Sequence, residues 1–145
     1  MYRRDYILRL IERFGRMLIG IRDAVLRRQS DAAQVEAQIQ EIAEQAGLDL
    51  TIARRLDPAS LLLWLAPTED FDAGRVWLMA ELLYLEGVEA SSQPDGSGRA
   101  NLERALALFA NLPPEWRPCD GLGAAGERVA EIRQLLEEDL AAPDR

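Results

Sequence analysis

The chain of 145 residues contains no histidine, no lysine and a single cysteine, Cys119. Without histidine it lacks the usual general base, the commonest metal ligand and the side chain that titrates near neutral pH. One cysteine permits neither an intramolecular disulfide nor a cysteine-based zinc site, and a reducing cytoplasm is the compartment this usage predicts. No apolar run reaches the roughly 18 residues of a membrane span. The apolar residues near the N-terminus are broken by Arg or an acid every few positions, unlike the uninterrupted core of a signal peptide. No segment alternates with period two between turn signals, which points to an all-α fold.

Arginine carries every positive charge, and it is unevenly placed. Residues 1–28 hold eight Arg against three acids, net +5, whereas residues 29–145 hold nine Arg against 22 acids, net −13. The whole chain is at −8. Such segregation usually marks a helix that faces a partner, its own copy or an anionic surface. The length suits a single domain over 1–145, and the 48% apolar content supplies a core.

The basic segment reads as one long amphipathic helix over 3–28. Ile7, Ile11, Phe14, Leu18, Ile21 and Val25 follow alternating spacings of four and three, and Leu10 and Met17 widen that stripe. Leu8, Ile19 and Leu26 form a second strip beside it. A helix greasy on two sides packs between two bodies, one being the domain core, and heptad-like spacing suits a helix seam with a second copy. Arg9, Arg13, Arg16 and Arg27 lie opposite the main stripe. Asp5→Arg9, Glu12→Arg16 and Asp23→Arg27 are acid-to-Arg spacings of four, which favour pairing along the helix.

Residues 31–140 read as further helical hairpins, and 141–145 as a frayed tail. Ser30 or Asp31 caps a second helix that Gly47 stops. A helical turn is expected near 51–56, and Asp57-Pro58 opens a short helix that Pro67 ends. The acids Glu69, Asp70 and Asp72 lead into Val76–Leu85, where nine of ten residues are apolar, too many for one face, so this helix belongs at the centre. The clearest loop is 91–98. Two more helices follow, one carrying Leu102, Ala105, Leu106, Phe109 and Leu112, the other Val129, Ile132, Leu136 and Leu140.

The chemical motifs mostly read as structure. Gly121-Leu122-Gly123-Ala124-Ala125-Gly126 matches G-x-G-x-x-G, but Arg117-Pro118-Cys119-Asp120 is no strand, so the dinucleotide context is missing. Glu69, Asp70 and Asp72 have no Gly-kinked acidic loop for a metal and suit the positive end of a helix instead. Ser97 and Cys119 have no histidine to activate them. Glu81 is the carboxylate to watch. Buried alone, its pKa would rise and it could act as a general acid; met by an arginine, it is structural.

Trp77 and Tyr84, seven apart on one helix, precede the Gly-rich loop and then Leu102-x-x-Ala105-Leu106-x-Leu108. This resembles a tetratricopeptide hairpin, in which an aromatic pair on one helix packs against an A-L-x-L block on the next. The likeness spans about 40 residues, with Glu81 in place of the pattern's Gly, Gly98 in place of Ala, and a longer loop. Arg4-Asp5-Tyr6-Ile7-Leu8-Arg9-x-Ile11-Glu12, Gly47-Leu48-Asp49-Leu50 and Ala80-Glu81-Leu82-Leu83-Tyr84 also resemble a family of short bacterial helical proteins to which no activity is assigned. That resemblance implies a tetratricopeptide-like domain behind a long N-terminal helix, and no catalytic residues.

The sequence thus predicts a non-enzymatic interaction or scaffold domain of six to seven helices that forms a homodimer, without cofactor or metal. The expected seam is Ile7, Leu8, Ile11, Phe14, Leu18, Ile19, Ile21, Val25 and Leu26. A groove around Trp77, Glu81, Tyr84 and Leu102 would take a protein or peptide partner, by analogy with other helical hairpins. The alternative is a binder of anionic surfaces, membrane or nucleic acid, through Arg3, Arg4 and Arg13. The scattered arginines and the net charge weigh against both of those surfaces.

Overall fold

Seven α-helices and no strand make up the computed structural model, which describes residues 2–66, 71–92 and 95–141. Four helices start where an aspartate side chain accepts orphan N–H groups of the first turn. Asp31 receives Ala33 N at 3.0 Å and Gln34 N at 3.3 Å, opening α2 (Ala32–Ala46). Asp49 caps the single turn of α3 (Leu50–Ala53) and Asp57 the start of α4 (Pro58–Leu65), with Pro58 in the first turn. Asp72 receives Arg75 N at 3.3 Å at the head of α5 (Ala73–Glu89). Gly47, at φ +69°, closes α2 by donating its N–H to Ala43 and Glu44 carbonyls. Pro67, Glu69, Asp70, Pro94 and the last four residues lie outside the described residues, as do the expectations placed on them.

The long first helix, α1, runs Tyr2–Leu26, two residues shorter at its end than the sequence suggests, because Arg28 turns the chain at φ +56°. The loop foreseen over 91–98 is shorter too. A 3-10 turn covers Ala90–Ser92, and α6 (Ser97–Ala110) begins inside the expected loop because the Asp95 carboxylate accepts from Ser97 N and Oγ at 3.0 and 2.8 Å. The last helix, α7, spans Ala125–Ala141.

The near-continuous apolar run makes α5 the central strut: Val76 to Leu85 are buried without a break, Glu81 included. Around it lie α1 and α2 on one side and α6, backed by α7 and α4, on the other. Among the described helices the contact between α5 and α6 is the most extensive, and two glycines let the helices approach closely. A Cβ on Gly87 would stand 2.8 Å from Leu102 Cγ, and one on Gly98 would stand 2.8 Å from the Gly87 carbonyl oxygen. One core cluster joins side chains from every helix. No helix among the described residues is long and apolar enough to cross a membrane.

Candidate functional site

Two features of this frame carry chemistry: a charged cavity between α1 and α7, and the outer face of α1. The cavity, about 280 Å³, has α5 at its base, with walls from α1, α7 and the 121–123 loop. Glu81 is 1% exposed at that base and meets Arg128 of α7, itself 4% exposed, in a two-point ion pair (Nε–Oε1 2.8 Å, Nη2–Oε2 3.0 Å). Arg128 also lies over the Tyr84 ring, 5.7 Å from its centroid. Glu131, one turn along α7, receives Arg22 Nη2 of α1 at 2.6 Å and the Tyr84 hydroxyl at 2.8 Å. Three helices are thereby tied by one network of arginines and carboxylates.

The Glu131 carboxyl and the Tyr84 phenol are each held in the form the network uses. Burial pushes the Glu131 carboxyl up, but the hydrogen bonds from Arg22 and Tyr84 and the charges of Arg128 and Arg22 outweigh it, leaving the carboxyl below its ordinary range. Burial, then the Glu131 charge, pushes the Tyr84 phenol well above its ordinary value, so it remains a donor at neutral pH. Arg22 Nε is buried without a hydrogen-bond partner and is the one open donor of its kind among the described residues. At the base of the cavity Glu81 and Glu131 each face a guanidinium, and Glu81 is the structural member of an ion pair, while Asp23 lines the rim.

The Glu131 pairing has a pH signature. A carboxyl held below its unfolded value stabilises the fold at pH above that unfolded value, about 4.3, and the contribution disappears as pH falls through the folded value. Urea unfolding of the native chain and of Glu131→Gln should therefore differ at pH 7 and converge as the solution is acidified. A gap that stays constant from pH 7 into the acid range would contradict the pairing.

The glycines of the G-x-G-x-x-G segment are explained by this network and its surroundings. Gly121 has φ +91°, in the region that favours glycine. A Cβ on Gly123 would run into the Arg128 guanidinium, so a side chain there would push that group from its place against Glu81. A Cβ on Gly126 would stand 3.0 Å from Pro114 atoms, where Gly126 N also donates to the Pro114 carbonyl at 2.8 Å. The segment enters a helix from a turn rather than from a strand, and its spacing serves packing.

The groove expected around Trp77, Glu81, Tyr84 and Leu102 does not exist as an open surface. All four are buried, Trp77 and Tyr84 completely, because α1 and α7 cover the exposed side that a bare hairpin would have. Trp77 sets its ring edge-on to Phe109, with centroids 6.3 Å apart, and its indole N–H donates to the Gly123 carbonyl at 3.1 Å. Leu102 fills the α5–α6 contact beside Gly87. Only Glu81 reaches the cavity.

The expected seam on α1 divides in the same way. Ile7, Ile11, Leu18, Ile21 and Val25 are core residues, at most 4% exposed, and Phe14 packs partly buried against them, so this stripe is not available to a second chain. The burial of α5 requires that cover. Leu8 is half-buried beside Gly74. Ile19 and Leu26 do face outward, 41% and 39% exposed. Of the arginines proposed for anions, Arg13 is exposed, and the side chains of Arg3 and Arg4 lie outside the described residues.

The polar face of α1 also departs from the expected pairing. Among the described residues, Glu12, Arg16, Asp23 and Arg27 are all exposed, yet none is in an ion pair. Exposed pairs gain about 0.2–1 kcal/mol, little against the entropy of fixing two long side chains. The Asp5 side chain lies outside the described residues. Sequence reasoning did not find Arg128 and Glu131. Arg128 is 47 positions from Glu81, and nothing local distinguishes it from other helix arginines.

Compared with protein families, curated proteins and solved structures, the chain has no match in any of the three.

Proposed function

We propose that the protein is a non-enzymatic interaction domain that self-associates through the outer face of α1. The observation that carries this reading is the two-sidedness of that helix. One side is built into the core. The other presents Ile19 and Leu26 with a row of charges that no ion pair among the described residues uses. Gly15 and Gly20 add open surface, since a Cβ at either would meet nothing within 4 Å. The pairing of Glu81 and Glu131 with arginines supports a structural role for those two carboxylates. In this reading α5 and α6, the helices of the tetratricopeptide-like resemblance, are the scaffold that holds α1 in place rather than a peptide groove.

Light scattering on the native chain and on an Ile19→Asp, Leu26→Asp variant tests the reading. Both side chains lie outside the core, so the variant keeps a cooperative unfolding transition. The expected result is a dimer for the native chain and a folded monomer for the variant. Equal masses for the two would refute it.

A further inference from the structure

Resting on that self-association, we infer that the partner is a second copy whose α1 runs antiparallel, with the twofold axis passing between Ile19 and Gly20. The charges of the free face select this arrangement. At about 100° per residue, Glu12, Arg16, Asp23 and Arg27 fall within an arc of roughly 60° on the helix surface. They are also symmetrically spaced along it. Arg16 and Asp23 lie about 5 Å on either side of the point midway between Ile19 and Gly20, and Glu12 and Arg27 about 11 Å on either side.

A twofold axis at that point therefore sets Arg16 against Asp23 of the other copy and Glu12 against its Arg27. Each pairing occurs twice, because the interface is isologous. Sliding one helix by four residues in one direction brings Glu12 against Asp23, and in the other Arg16 against Arg27. A parallel pair would set every charge against itself. Like charges across a helix seam are destabilising, so the pattern selects against these alternatives as well as for the proposed register.

The surface at the axis fits close approach. Gly20 has no side chain, Ile19 supplies an apolar contact on one flank, and neither is needed to cover the core. Among the described residues Glu12, Arg16, Asp23 and Arg27 form no ion pair, so the contact breaks none there.

Charge exchange tests the register. Asp23→Arg alone and Arg16→Asp alone should each raise the dimer dissociation constant about tenfold or more, because the twofold turns one substitution into two repulsive contacts. Asp23→Arg combined with Arg16→Asp should restore the native constant. Sedimentation equilibrium reads all three, with circular dichroism checking that each variant keeps the native helix content. Restoration in the double variant establishes the pairing. Three constants equal to the native one, in a protein that Ile19→Asp, Leu26→Asp still dissociates, would overturn the register while leaving self-association intact. Singles that dissociate with no recovery in the double would also overturn it. A native chain that is monomeric throughout would remove both the register and the reading beneath it. If that monomer sediments with phosphatidylserine vesicles, the occupant of the face is an anionic surface.

Discussion

Arg128→Ala should destabilise the fold by about 3–5 kcal/mol, the cost of leaving a buried charge without its partner. Glu81 then remains at the base of the cavity, 1% exposed, with both oxygens stripped of their donors. Glu81→Ala should cost less, because Arg128 Nη1 keeps Glu131 at 3.5 Å. The pair itself contributes much less than either loss, since two charges had to be taken from water to form it. Exchanging both for apolar side chains of similar size, Glu81→Leu with Arg128→Met, should recover most of the stability. Urea denaturation of the four proteins gives the cycle. Single variants within about 1 kcal/mol of the native chain would mean that water reaches the pair and that the network does not lock α7 to α5.

Trp77→Ala should cost about 3–5 kcal/mol, comparable with the loss of Arg128. Trp77 is fully buried, touches Phe109 edge-on and reaches the loop that leads into α7. Its removal opens a large void at the centre of α5, where neighbouring helices cannot collapse without breaking the α5–α6 contact. The size of the effect separates into packing and hydrogen bonding through a second variant. Trp77→Phe keeps most of the ring volume but removes the donor to the Gly123 carbonyl, which should cost about 1–3 kcal/mol. Thermal or urea unfolding measures both. If Trp77→Phe were as damaging as Trp77→Ala, the hydrogen bond and not the packing would dominate.

Much of the frame was readable because it depends on local signals. Asp31, Asp57 and Asp72 are side-chain caps, Gly47 is a stop with positive φ, and each acts within a few residues of where it stands. The central place of α5 was legible for a related reason: a helix apolar on all sides has nowhere to go but the interior. The 4,3 stripe of α1 correctly marked a buried face. Periodicity gives a face but not its neighbour, so the same residues read as core or as seam until α5 is seen to lie beneath them.

The site was much less legible. Whether Glu81 is an acid or a salt-bridge member depends on Arg128, brought to it by the packing of α7 against α6, and no spacing rule links the two positions. The Gly123 requirement follows from that guanidinium and is equally long-range. Trp77 and Tyr84 suggested a groove because a hairpin considered alone leaves one side bare. Here α1 and α7 occupy that side, and on α1 the apolar side chains left facing outward include Ile19 and Leu26.

The mass of the native chain in solution tests this account most directly. Sedimentation equilibrium over a concentration series should give a species of twice the 16.2 kDa chain mass that dissociates reversibly on dilution. A mass of 16.2 kDa at every concentration would contradict it, leaving the outer face of α1 an ordinary solvated surface.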